Sequence, residues 1–212
     1  MKYNRHIEHV FATPLFGTTF DNLEIFNKCA DAVLKLLPEE RRQGLVSNGS
    51  TATDDHLHTL DEFKELVTLI DTEIGFFFED YLGLDKNDTH MTCMWSNIQS
   101  RRSRHGMHSH PNSFYSGVVY LAIPPGKENI AGNLIFLDPR PASLTSVADY
   151  KKINSLSNST ISIKPETGML ILFPSWLQHS TDICMLDEGE YRISLSFNYI
   201  LDKCNVSSMR LN

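Results

Sequence analysis

His108 to Leu121 reads HSHPNSFYSGVVYL: two histidines one residue apart, a Pro-Asn-Ser corner, then an apolar run. The run is rich in β-branched and aromatic residues and reads as a buried strand. Alternate residues of an extended segment point to the same side. His108 and His110 therefore converge where the strand begins, and a partner for them has to be sought elsewhere in the chain.

Working outward, the segments on either side have the same character. THMTCMWSNIQS (89–100), FYSGVVYLAI (114–123), GNLIFLD (132–138), STISIKP (159–165), GMLILFP (168–174), STDICML (180–186) and YRISLSFNYIL (191–201) are short β-rich runs divided by Gly, Pro, Asp and Asn. Strands joined by turns rather than by helices predict a β-sandwich or barrel. The first part of the chain differs. From Asp21, a candidate N-cap, the residues Leu23, Ile25, Phe26, Cys29, Ala30, Val33, Leu34 and Leu37 recur at helical spacing up to Pro38. QGLVSNGSTATDDHLH (43–58) reads as a loop. A second helix is expected to start near Thr59, with Glu62 completing a capping box, and to end at Gly83. The expectation is one domain over 1–212, with helices in about 1–88 packed on one sheet of a β core over about 89–202.

Composition narrows the function. A chain of 212 residues with 41% hydrophobic content can bury a sizeable core, and its net charge of −7 argues against a surface that tracks nucleic-acid phosphates. The basic cluster RRSR, Arg101 to Arg104, reads as a solvated turn between strands. MKYNRHIEHVF lacks the apolar stretch of a secretory signal, and no run approaches a membrane span, so a cytoplasmic protein is expected. Cys29, Cys93, Cys184 and Cys204 show no CxxC or CxH spacing and read as free thiols or small buried hydrophobes.

A third candidate ligand, His179, stands in FPSWLQHST after an apolar strand. Thirteen residues on, Arg192 opens an alternation in which Arg192, Ser194, Ser196 and Asn198 share one strand face while Ile193, Leu195 and Phe197 share the other. A polar face inside an apolar sandwich must satisfy its donors, which points to a wet pocket or ligand site. His105 reads as an ordinary satisfied or exposed histidine, His56 and His58 as a solvated pair in an acidic loop, and Trp95 and Trp176 as core or pocket wall.

In order along the chain, HSHPNSFYSGVVYL, GNLIFLDPRP, FPSWLQHS and RISLSFNY, together with the N-terminal ATPLF and the SNG loop, resemble the iron(II) and 2-oxoglutarate-dependent oxygenases, within them a small branch found in phages and marine bacteria. The resemblance implies a double-stranded β-helix, that is, a jelly-roll of the cupin-like kind. It implies His108, His110 and His179 as ligands of Fe(II), and Arg192, Ser194 and Tyr120 as contacts of the distal carboxylate of 2-oxoglutarate. Imidazole suits Fe(II), and three protein ligands leave room for a bidentate 2-oxo acid and O2. The guanidinium fork suits a carboxylate. It also implies hydroxylation of a substrate with release of succinate and CO2, in the cytoplasm of a bacterium or of a phage's host. One position departs from the family pattern: His110 stands where a carboxylate ligand is usual, and Asp138 in LDPRP is the candidate substitute acid, or else a cap for its turn. Two other classes remain open: a three-histidine cupin-like dioxygenase that uses no 2-oxo acid, and a non-enzymatic metal-binding module. The substrate, small molecule or peptide, and the oligomeric state are not legible in the residues.

Overall fold

The computed structural model describes residues 12–41, 50–140, 149–152 and 157–202. Cys204, the SNG loop and the MKYNRHIEHVF segment lie outside them. Helix α1 spans Glu24–Leu36 and buries Phe26, Cys29, Ala30 and Val33, the spacing of a single apolar stripe. Its cap is not Asp21: the Asn22 side chain accepts from the Glu24 N–H at 3.1 Å, because that side chain lies two residues before the first unanswered amide. The second helix begins later than Thr59. Two 3-10 turns, Leu57–Thr59 and Asp61–Phe63, precede α2, Lys64–Phe76, and the Thr59 hydroxyl bonds back to the His56 carbonyl instead of capping forward. A π-helical turn, Phe77–Tyr81, extends α2. The segment closes as expected at Gly83, whose φ of +69° only glycine adopts readily and which lets the Leu84 N–H reach the Phe78 carbonyl.

Nine strands are described: β1 Phe16–Thr19, β2 Ser50–Ala52, β3 Thr89–Ser100, β4 Tyr115–Ala122, β5 Leu134–Leu137, β6 Thr160–Ile163, β7 Met169–Pro174, β8 His179–Thr181 and β9 Tyr191–Leu201. Two of them fall in the expected helical part. β1 continues ATPLF and pairs with β7, and β2 lies in the expected loop and pairs with β3. Of STDICML only the start is strand.

All pairings between these nine strands are antiparallel. They build a six-stranded sheet in the order β1-β7-β4-β9-β3-β2 and a three-stranded sheet in the order β6-β5-β8. The two sheets form the double-stranded β-helix implied by the resemblance, with an apolar layer between them that joins Val118, Ile171 and Phe173 of the large sheet to Leu134 and Phe136 of the small one. The helices cover the outer face of the large sheet. Phe26, Val33, Leu66 and Ile70 pack there on Met94, Ile98, Val119, Leu172, Leu195 and Phe197. Alternation along β3, β4, β7 and β9, interrupted by irregularities at Met91/Cys93 and Tyr120/Ala122, thus sorts one set of side chains to the helices and the other to the gap between the sheets. Gly117 marks the tightest approach: the Phe197 ring lies over it and leaves no room for a Cβ.

Candidate metal centre

The two halves of the centre are tied by backbone. The His108 N–H donates to the His179 carbonyl and the His179 N–H to the His108 carbonyl, both at 2.9 Å, so the HSH segment pairs with the first residue of β8. The His110 N–H reaches the Ser175 carbonyl at 2.8 Å, just past the end of β7. An extended segment held at both points must turn both imidazoles to one side, as the spacing predicts. The ring of His179 lies 4.3 Å from that of His108 and 5.1 Å from that of His110, the latter pair nearly parallel. One ring nitrogen from each of the three falls within 4.8 Å of the others.

The tautomers follow from the backbone. Nδ1 of His108 meets the Gly106 carbonyl at 2.7 Å, and Nδ1 of His179 meets the Leu177 carbonyl at 2.9 Å. A carbonyl only accepts, so each Nδ1 carries a proton and Nε2 is the nitrogen left to ligate. Burial pushes the His110 and His179 imidazoles down to about 4, with the neighbouring His108 acting in the same direction. For His179 the Leu177 carbonyl opposes the shift without overcoming it. Both rings are therefore neutral at pH 7, the form that ligates. Nε2 of His110 and Nε2 of His179 are 3.2 Å apart. Two nitrogens bound at right angles to one ion, with bonds of about 2.1 Å, would stand roughly 3.0 Å apart. The group fits a divalent transition metal.

A cavity of about 240 Å³ opens between the sheets and runs from the histidines to Arg192. Its floor is the centre of the large sheet, where the register sets Trp95, Asn97 and Gln99 of β3 opposite Ser196, Ser194 and Arg192 of β9, and Tyr120 of β4 opposite Ser194. Arg192 is 2% exposed. Nε donates to Gln99 Oε1 at 2.9 Å, Nη2 donates to the same oxygen, and Nη1 donates to the Gly132 carbonyl. The guanidinium carbon lies 5.6 Å from the centre of the Tyr120 ring, whose hydroxyl is driven up by burial against the opposing pull of Arg192. Ser194 Oγ points back to the Asn97 carbonyl at 3.5 Å. No carboxylate pairs with Arg192 among the described residues, and none lines the cavity. A buried cation without an acid partner is expensive unless an anion comes to it.

The structure thus brings His108, His110, His179, Arg192, Ser194 and Tyr120 to one cavity. Asp138 is not among them. It follows β5 and is engaged in its own turn, accepting from the Arg140 N–H at 2.9 Å and pairing with the Arg140 guanidinium at 2.6 Å. Among the described residues no acid joins the histidine group. His105 departs from the ordinary reading. It lines the cavity, its N–H is held by Thr181 Oγ1 at 2.8 Å, and its buried Nε2 has no partner among the described residues. His56 and His58 lie away from the cavity, His56 against Asp55 at 3.2 Å. Trp95 lines the cavity, 5.8 Å from the His110 ring, and Trp176 is exposed. The RRSR segment is a turn, with Arg102 at φ +65°. Sequence reasoning missed Gln99 and Gly132. The signal for Gln99 was the Trp95, Asn97, Gln99 alternation, the counterpart of the one read in β9.

Among the described residues no helix is long and apolar enough to cross a membrane. No curated protein matches the chain in sequence. Solved structures match its fold. An oxidoreductase of the 2OG-Fe(II) oxygenase family from Burkholderia pseudomallei is 18% identical, with a TM-score of 0.56 over 88% of this chain and 84% of that one. HygX from Streptomyces hygroscopicus, solved with nickel and 2-oxoglutarate bound, is 12% identical, with a TM-score of 0.59 over 89% and 83%. A prolyl-4-hydroxylase from Pseudomonas putida is 14% identical, with a TM-score of 0.54 over 89% and 93%. At these identities the likeness speaks for the fold. The family model described as "Putative 2OG-Fe(II) oxygenase" goes further, because it matches residues 93–198, half of the chain and the span that carries the histidines and Arg192. The chain belongs to the 2OG-Fe(II) oxygenases and is an oxidoreductase of the 2-oxoglutarate-dependent class.

Proposed function

We propose that the protein is an Fe(II)- and 2-oxoglutarate-dependent dioxygenase that hydroxylates a small molecule or peptide in the cytoplasm, with His108, His110 and His179 holding the metal. Arg192 takes the distal carboxylate of the cosubstrate, assisted by Ser194 and Tyr120. The observation that carries this reading is the buried guanidinium, without an acid partner among the described residues, in the same cavity as three converging imidazoles. Iron with 2-oxoglutarate and O2 supplies the oxidising chemistry, which converts the cosubstrate to succinate and CO2 as a C–H bond is hydroxylated.

The chain's own residues bind, orient and shield. The fork of Arg192 matches a carboxylate in two parallel hydrogen bonds. Val118, Leu134 and Phe173 line the cavity with apolar surface, which keeps water from the reacting end. Three neutral ligands bring no negative charge to the metal, and Arg192 has only uncharged acceptors, so the cavity favours a dianion with one carboxylate for the metal and the other for Arg192. A three-histidine dioxygenase that used no 2-oxo acid would have no occupant for Arg192. The test is a thermal-shift titration of the Mn(II)-loaded protein with 2-oxoglutarate, paired with anaerobic Fe(II) reconstitution followed in the visible range. A ligand that binds the folded state raises its melting temperature, and a charge-transfer band should grow with the same midpoint. No shift and no band at millimolar 2-oxoglutarate would sink the proposal.

A further inference from the structure

Gln99 and Arg192 face each other across the β3–β9 ladder, both buried, and the single oxygen of the glutamine amide takes both Nε and Nη2 of the guanidinium. A guanidinium only donates, so the amide must turn its oxygen to Arg192. Its Nε2 is left buried without a partner among the described residues. Such an orphan donor is costly, and a glutamate of the same shape would remove it by offering two oxygens and no N–H. A glutamate would also neutralise Arg192. The other acceptor that fixes the guanidinium, the Gly132 carbonyl, is uncharged as well, and it belongs to a glycine at φ +85° where a Cβ would strike the Asp182 carbonyl. Every acceptor seen on Arg192 therefore fixes the plane of the fork without meeting its charge.

We propose that Gln99 is a positioning residue for cosubstrate recognition: it locks the guanidinium while leaving its charge for the ligand, and so selects 2-oxo acids with an anionic far end over those with a neutral one. The inference rests on the reading of Arg192 as a carboxylate partner. It predicts that stability and recognition part company at this position.

The experiment compares the full chain with Gln99→Glu and Gln99→Met, each loaded with Mn(II), by calorimetric titration with 2-oxoglutarate and with 2-oxoglutaramate, its terminal amide. Wild type should prefer 2-oxoglutarate. Gln99→Glu should melt no lower than wild type without ligand, bind 2-oxoglutarate about 100-fold more weakly, as expected when a charge-assisted contact is lost, and give up the preference for the acid over the amide. Gln99→Met removes the acceptor but adds no charge, so affinity should fall about tenfold with the preference kept and the Mn(II) affinity unchanged. A folded Gln99→Glu protein that retains both affinity and preference overturns the proposal. If that variant does not fold, undiminished 2-oxoglutarate affinity in Gln99→Met overturns it equally. Failure of wild type to bind 2-oxoglutarate would instead remove the reading of Arg192 on which it stands.

Discussion

The two faces of the six-stranded sheet are made by the same strands and obey opposite rules. Toward the helices, β9 presents Ile193, Leu195 and Phe197, each at most 1% exposed and locked among apolar neighbours from α1 and α2. Toward the small sheet, the intervening residues Arg192, Ser194 and Ser196 line a cavity together with Gln99 and His105, and these last two each carry a buried nitrogen without a partner among the described residues. The first face is what any packed core wants. Among the described residues, the second carries a cation without an acid partner and orphaned polar atoms, which a sequence optimised for stability alone would replace. Local rules are broken where ligands are to bind, so mutations on the two faces should separate stability from binding.

The largest expected effect is on the helix face. Phe197→Ala removes a fully buried ring that covers Gly117 and should cost about 3–5 kcal/mol of unfolding free energy in a urea titration, the range for truncating a core aromatic. The increment in melting temperature given by 2-oxoglutarate should survive. Loss of that increment in a folded Phe197→Ala protein would break the separation.

On the other face, His179→Ala should leave unfolding nearly unchanged and lower Mn(II) affinity by at least about 100-fold, since losing a ligand exceeds the effect of losing its outer-shell support. His108→Ala and His110→Ala should follow the same pattern. Acid should act on the same residues. His110 and His179 sit at about 4 in the folded chain against an ordinary value of 6.5, so between those values the unfolded chain binds more protons. Stability of the metal-free protein should therefore fall as pH drops through that window and be fully present above it. Metal binding should fail toward pH 4, as the ligating nitrogens take up protons. A flat melting temperature between pH 7 and 4 for the metal-free protein would contradict the neutral, buried state of the two rings.

How much of this was legible in the residues also divides by face. Alternation in RISLSFNY located both faces of β9 before any fold was known, and the HSH spacing gave two of the three imidazoles, because period and spacing are local properties of a strand. Pairing is not local. Gln99 meets Arg192 only because β3 and β9 run antiparallel in that register, a contact between residues 93 positions apart that no window on the sequence displays. β1 and β2 were missed for a related reason: each is short, and its partner, β7 or β3, lies far along the chain. The caps failed differently. Asp21 has the right side chain to cap α1, but the residue that precedes the helix is Leu23, which has no acceptor to offer, and the Glu24 N–H is met by Asn22.

A smaller effect is expected at Arg192. Lysine keeps the charge but loses the planar fork that Gln99 and Gly132 hold in place, so Arg192→Lys should weaken 2-oxoglutarate binding by about 1–3 kcal/mol while Mn(II) affinity barely moves. If Arg192→Lys instead unfolds the protein, the arginine is bracing the sheet, and the cavity face contributes to stability after all.

The smallest effect separates a ligand from a turn. Asp138 is the acid nearest to being a substitute for the carboxylate that His110 displaces, and its side chain is only 9% exposed, which by itself would suit a metal ligand. Its oxygens are already engaged: one accepts from the Arg140 N–H, the other pairs with an Arg140 guanidinium that is more than half exposed. A turn bond and an ion pair of that exposure contribute about 1 kcal/mol each. Asp138→Ala should therefore lower the melting temperature slightly and leave Mn(II) affinity as it was. The paired measurement is His110→Ala. If Asp138→Ala abolished metal binding while His110→Ala retained it, the turn would have to open for Asp138 to reach the ion, and the centre would be two histidines and an acid. If both behave as expected, the metal is held by three neutral imidazoles, and charge balance in the cavity falls to the ligands that Arg192 and the metal bring in.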